Sequence, residues 1–152
     1  MNLPARLAEL DLLLPEVSNP GGNYLSVNLR GRIAYVAIQF PIINGEYQFQ
    51  GRLGEDLTTQ DGYRAMQLCA LNVLAQVHEK VGFARVEGFN HLDAYYRAAP
   101  DWDESPEVVD GASDLLMRVL ADRGVHTRAI FGVADLPRHF SVGLTCSLTL
   151  RD

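Results

Sequence analysis

The segment from Ser141 to Leu150 alternates without interruption, and that pattern limits the fold more than any other stretch of the chain. Val142, Leu144, Cys146, Leu148 and Leu150 fall on one side, and Ser141, Gly143, Thr145, Ser147 and Thr149 fall on the other. A period of two places a strand with one face on a core and the other on something wetter. The preceding stretch from Gly124 reads as a second strand, with Pro137 in the intervening turn, so the two close the chain as a strand pair. Arg128 stands in that earlier strand among Ala129, Ile130, Phe131 and Val133. An unpartnered guanidinium at a half-buried position is costly. Its partner is therefore either a protein carboxylate, such as Asp110, Asp114 or Asp135, or a ligand.

The rest of the chain supplies four further strands and two long helices. Leu3, Leu7, Leu10 and Leu14 share one helical face ahead of Pro15, so residues 1–22 read as an N-terminal helical extension and loop. Asn23–Leu29 and Ile33–Phe40 are strand-like, joined by the tight turn Arg30-Gly31-Arg32. Asn44-Gly45 forms a two-residue hairpin turn into Glu46–Gln50. Thr58 is placed to cap a helix running to about Val81, in which Tyr63, Met66, Ala70, Leu74, Val77 and Val81 recur every three or four residues. Phe83–Ala94 reads as a strand. Ser105-Pro106 reads as a cap and first helical proline for a second helix using Val109, Ala112, Leu116, Val119 and Leu120. The order predicts an α+β fold in one domain spanning 1–152, two helices covering one face of a mixed sheet. The opposite sheet face would stay wet or be covered by another subunit.

The formal charge of −6, with a single lysine (Lys80), argues against nucleic acid, whose backbone demands clustered cations. No apolar run reaches membrane-span length and no basic-then-apolar leader opens the chain, so no membrane partner and a cytoplasmic location are expected. Cys69 and Cys146 lie inside apolar periodic segments and read as reduced core residues. His78, His91, His126 and His139 lack metal-ligand spacing, and Asn19-Pro20-Gly21-Gly22 lacks a P-loop lysine.

Three segments carry a family resemblance: Val109-Asp110-Gly111-Ala112-Ser113-Asp114-Leu115-Leu116, Gly124-Val125-His126-Thr127-Arg128-Ala129, and Val133-Ala134-Asp135-Leu136-Pro137. With Gly51-Arg52-Leu53-Gly54 and the Leu68–Ala75 helix segment, the chain resembles the RidA/YjgF family along essentially its whole length. Within that family it is closest in size to the longer branch often labelled endoribonuclease L-PSP. The resemblance implies a chorismate-mutase-like fold, a homotrimer around a central β-barrel and ligand clefts between subunits. It further implies hydrolysis of 2-imino or enamino carboxylates to keto acids and ammonia, with no cofactor. On that resemblance Arg128 would grip the substrate carboxylate, the backbone of Ile130 would lie beside the ligand, and Tyr24 would close the cleft.

The departures from the family pattern fall at the same site. The glutamate that orients the attacking water in deaminating members is replaced by Gly143, and the family's Ser-Gly-Gln appears as Ala37-Ile38-Gln39. Gln39 is retained as a pocket residue. Asp110 stands where asparagine is typical; facing the cleft, it would repel a ligand carboxylate. His126, two residues before Arg128 on the same strand face, is the candidate acid or base, the alternative being a solvent-facing histidine. Asp110 and Asp114 lie one helical turn apart, as either an acid/base pair or a solvated face. The expected partner is a small carboxylate-bearing metabolite. A non-catalytic trimeric module binding such a metabolite is the alternative to the deaminase.

Overall fold

The computed structural model describes residues 2–152. In chain order the elements are α1 (Leu3–Glu9), β1 (Val27–Arg30), β2 (Ile33–Gln39), β3 (Ile42–Ile43), β4 (Glu46–Tyr47), α2 (Thr59–Lys80), β5 (Val86–Tyr96), α3 (Ser105–Leu120), β6 (Thr127–Gly132) and β7 (Val142–Leu150). Five strands form one mixed sheet in the order β1-β2-β7-β5-β6, and β3 and β4 form a small separate hairpin. That hairpin turns at Asn44 and Gly45, both at positive φ (49° and 85°), as the Asn-Gly pair predicts.

The closing strands are not neighbours, contrary to their reading as a pair. Strand β5 lies between them, pairing parallel with β6 and antiparallel with β7. Helix α3 is the reason: a chain that leaves β5, crosses through a helix and returns to the same sheet comes back parallel. Residues 133–141 then carry the chain past β5, pinned by Val133 N–H to Tyr96 O (2.9 Å) and Arg97 N–H to Ser141 O (3.0 Å). A linear pattern of apolar residues carries no record of that insertion.

The alternation in β7 holds. Val142, Leu144, Leu148 and Leu150 are at most 1% exposed, and Thr145, Ser147 and Thr149 are half-buried on the opposite face. Register extends the two faces across the sheet. Val36, Cys146, Leu92 and Arg128 lie in one cross-strand row under the helices, and Tyr35, Ser147, His91 and Thr127 lie in one row on the open face. Arg128 therefore sits on the helix-covered face, at the unpaired edge of the sheet.

Helix α2 begins with a reciprocal cap. Asp61 N–H donates to Thr58 Oγ1 (3.0 Å), and Thr58 N–H donates to Asp61 Oδ2 (2.9 Å). The backbone bond from Thr58 is the main cause of a lowered Asp61 carboxyl pKa, with Arg64 adding to it. Helix α3 starts one residue earlier than its sequence suggests: Glu104, not Ser105, is the N-cap residue, and its carboxylate accepts the Thr59 hydroxyl. It ends at Leu120, and a 3-10 turn over Ala121–Gly124 carries the chain on. Val109, Ala112, Leu116, Val119 and Leu120 are buried as their spacing predicts.

Helices α2 and α3 meet at Gly111. A Cβ there would stand 2.1 Å from Tyr63 O, so only a hydrogen side chain permits this approach. The N-terminal helix is shorter than its leucine spacing implies, because Asp11 takes a left-handed φ of 56°. Leu3 and Leu7 are nevertheless buried at 1%, and Leu10, Leu12 and Leu14 pack against the same core. Arg6 donates to the C-terminal carbonyls of α3, Nη2 to Arg118 O (2.8 Å) and Nε to Val119 O (3.3 Å). The extension is thus part of the core. No helix among the described residues is long and apolar enough to cross a membrane.

Two outcomes follow from this packing. Gly111→Ala overpacks the α2–α3 contact and is expected to lower stability by about 1–3 kcal/mol in urea unfolding; an unchanged midpoint would show that the helices slide freely. Burial pushes both the Cys69 and Cys146 thiols above the usual range. An unfolded thiol titrates near ~8.5, so stability holds below that pH and falls as pH rises through it. Ellman's reagent at pH 8 is accordingly expected to label neither cysteine until denaturant is added.

Candidate functional site

Side chains from α3 and β6 converge at the free edge of the sheet. Arg128 Nη1 donates to Asp110 Oδ1 (2.8 Å) and to Ser113 Oγ (3.0 Å). Ser113 Oγ is also 2.9 Å from His126 Nε2, and His126 Nδ1 is 2.6 Å from Gly124 O. A carbonyl only accepts, so Nδ1 carries a proton, and in a neutral ring with that tautomer Nε2 accepts the Ser113 hydroxyl hydrogen. The result is a continuous chain of polar contacts: Asp110, Arg128, Ser113, His126, Gly124 O. His126 is half-buried and bonded at both ring nitrogens, so it is not a solvent-facing histidine.

Of the two partners open to Arg128, the protomer itself supplies the carboxylate. The engagement is one-sided: both bonds use Nη1, and among the described residues Nη2 and Nε make no hydrogen bond. One edge of the guanidinium fork stays available to an anion, though Asp110 already offsets its charge. Asp114, one turn further along, accepts the Tyr63 hydroxyl (2.8 Å), which raises the Tyr63 pKa. Asp110 and Asp114 therefore have separate hydrogen-bond partners. Ile130 follows Arg128 on the same face and packs partly against the core.

Tyr24 and Gln39 lie elsewhere. Strands β7 and β5 separate β2 from β6, so one protomer does not bring these residues to Arg128. Tyr24, Gln39, Ala37 and Ile38 instead line a cavity of about 420 Å³, together with Tyr47, Arg138 and Phe140. Tyr24 is 50% exposed, and its hydroxyl accepts the Gly21 N–H (3.0 Å), which fixes the Gly-rich loop. Gln39 is buried; its Nε2 donates to Ala37 O (3.0 Å) and its Oε1 accepts from Gln76 Nε2 (3.3 Å). That amide shapes the wall of the cavity from behind.

Gly143 faces the open side of β7 and is covered. A Cβ at this position would lie 2.7 Å from Ile38 Cδ1 and 3.0 Å from Phe40 Cε1. A register shift between Val36 and Gln39 accompanies this arrangement, with Ile38 on the same side of the sheet as Gly143. The Ala37-Ile38 replacement and the Gly143 replacement are thus one feature: the isoleucine occupies the space that a longer side chain at 143 would need.

Two members of these clusters are not picked out by sequence pattern. Ser113 is visible only as the residue one turn beyond Asp110, and nothing in its spacing distinguishes it from a core serine. Arg138 sits in what reads as an ordinary Pro-containing turn.

Residues 4–146 match a family described as YjgF/chorismate mutase-like endoribonuclease. Protein TCP17 of Trypanosoma cruzi is 34% identical over 135 residues, which is 88% of this chain and 84% of that protein. The crystal structure of a Shewanella oneidensis MR-1 protein carrying the endoribonuclease label superposes with a TM-score of 0.94 at 32% identity, over 98% of this chain and 100% of that one. Escherichia coli TdcF, crystallised with bound serine, superposes with a TM-score of 0.63 at 18% identity, over 91% and 94% of the two chains.

The Arg128–Asp110 pair is half open to water, with side-chain exposures of 26% and 49%. A double-mutant cycle of Asp110→Asn and Arg128→Gln, followed by urea unfolding, is therefore expected to give a coupling of only about 0–1 kcal/mol. A coupling several-fold larger would mean that the pair is needed for folding and is not available to a ligand.

Proposed function

The chain belongs to the RidA/YjgF, chorismate mutase-like family, and from that premise we propose a homotrimer that binds a small carboxylate metabolite in clefts between its protomers. The observation that carries this reading is the separation of the two polar half-sites onto opposite sides of one sheet. Arg128, Ser113 and His126 stand at the β6 edge, and Tyr24 and Gln39 stand beyond β7 at the other side. Two copies of the chain, edge to edge, make one cleft from these halves. Exposed aromatics on the open face, Tyr35 (52%) and Phe131 (44%), favour a partner covering that face. The serine bound by TdcF, a distant relative, is a ligand of the same chemical class.

In this cleft the free edge of Arg128 receives the carboxylate, the Ile130 backbone runs beside the ligand and Tyr24 closes over it. Binding without turnover is the leading reading because Gly143 offers no carboxylate to orient water and Ile38 occupies its approach. Imine hydrolysis is the second reading, favoured by the Ser113–His126 contact beside Arg128. An imine already hydrolyses unaided, so positioning and modest charge stabilisation suffice, and these two side chains are able to hold a water.

Thermal shift against serine, 2-oxobutanoate and phenylpyruvate, run beside an ammonia assay with enzymatically generated 2-iminobutanoate, separates the readings. Saturable stabilisation with ammonia release at the buffer rate is the expected result. Release above that rate, lost in Arg128→Ala, would establish the hydrolase instead. A protein that sediments as a monomer would rule out the intersubunit cleft.

A further inference from the structure

The cavity beside Tyr24 has an electrostatic character that the Arg128 cluster lacks. Arg138 lines it, no aspartate or glutamate does, and the Arg138 guanidinium makes no hydrogen bond or ion pair among the described residues. Its positive charge is uncompensated where that of Arg128 is offset by Asp110 at 2.8 Å. An arriving anion meets attraction at the first and a competing carboxylate at the second.

The backbone that carries Arg138 is held in place. Arg138 and His139 both take left-handed φ values, 55° and 60°, an unusual conformation for two successive residues with side chains. Their carbonyls are tied down: Gln50 Nε2 donates to Arg138 O (2.6 Å), and Gly51 N–H (2.7 Å) and Arg97 Nη2 (2.8 Å) donate to His139 O. Arg97 Nε secures Phe140 O (2.9 Å). Arg97 itself is buried at 6% exposure, so the strained turn rests on an interior guanidinium.

The wall next to Arg138 is aromatic. Phe40 and Phe140 stack with centroids 4.8 Å apart, and Tyr47 meets Phe140 edge-on at 5.1 Å, with about half its surface exposed. Tyr24 and Tyr47 add hydroxyls. A volume of about 420 Å³ lies in the usual range for small-molecule pockets and is roomy for an acid of three or four carbons. The ring wall leaves a place for a planar apolar body beside the charge.

We propose that Arg138 is the anion anchor of this cavity and that the ligand it selects is a ring-bearing carboxylate. This deepens the proposed function and rests on its reading of the cleft as a carboxylate site. It adds Arg138 to Arg128 as a charge contact of the cleft and names the ligand class.

Isothermal titration of the full chain with phenylacetate, its neutral analogue phenylacetamide and 2-oxobutanoate tests this. Arg138→Asn removes the charge with a residue that tolerates left-handed backbone, and Arg138→Lys keeps the charge. Phenylacetate is expected to bind best, with phenylacetamide weaker by about tenfold or more. A similar loss in Arg138→Asn and near-wild-type binding in Arg138→Lys are expected alongside. An unaltered thermal midpoint of unliganded Arg138→Asn assigns the loss to charge; if that midpoint drops, Arg138→Gln replaces it in the same comparison. Loss in Arg128→Gln with none in the charge-neutral Arg138 variants would overturn this inference and leave the carboxylate cleft standing. Failure of every carboxylate to bind would remove both.

Discussion

Strand β7 bears the constraint on which the other elements depend. It is hydrogen-bonded to β2 on one side and β5 on the other, so it must be strand along its whole length. Its five inward residues lie under α2 and α3 and unite the two helices with the sheet in one core. Burial of such side chains contributes roughly 1.5–3 kcal/mol each, which makes this row a main source of the fold's stability. A slip of one residue would put the threonines and serines into the core and the leucines into water.

The outer row of the same strand does different work. Small and hydroxylated residues keep that face low, and Gly143 lets Ile38 and Phe40 lie directly on the backbone. One position thereby shapes both the sheet and the adjoining cavity. A side chain there would have to displace Ile38, and with it part of the cavity wall. The same close packing that stabilises the end of β2 therefore restricts what chemistry the site is able to support.

Charge is distributed unevenly between the two half-sites. At the β6 edge, Arg128 is paired with Asp110, bonded to Ser113 and linked through it to His126, a set that is nearly self-satisfied. Beside Tyr24, Arg138 has no such partner and a strained, firmly held backbone behind it. Two arginines in a chain of net charge −6 thus differ in what they offer an anion, and the difference lies in their neighbours.

Local patterns along the chain placed most of the elements. Period-two alternation marked β7, three-to-four spacing marked α2 and α3, and Asn44-Gly45 marked the hairpin, because each pattern is a local consequence of backbone geometry. The sequence also made the choice at Arg128 explicit, since a guanidinium among apolar neighbours needs a partner. The order of strands was decided only in three dimensions: the insertion of β5 between β6 and β7 depends on the α3 crossover and on contacts between distant segments. The same holds for the site. Ser113 gains its meaning from a strand that returns beside its helix, and Ile38 and Gly143 meet across paired strands. Arg138 is set apart by a turn that Gln50 and Arg97 hold from far along the chain. Periodicity reports which side a residue faces, and only tertiary packing reports what stands opposite it.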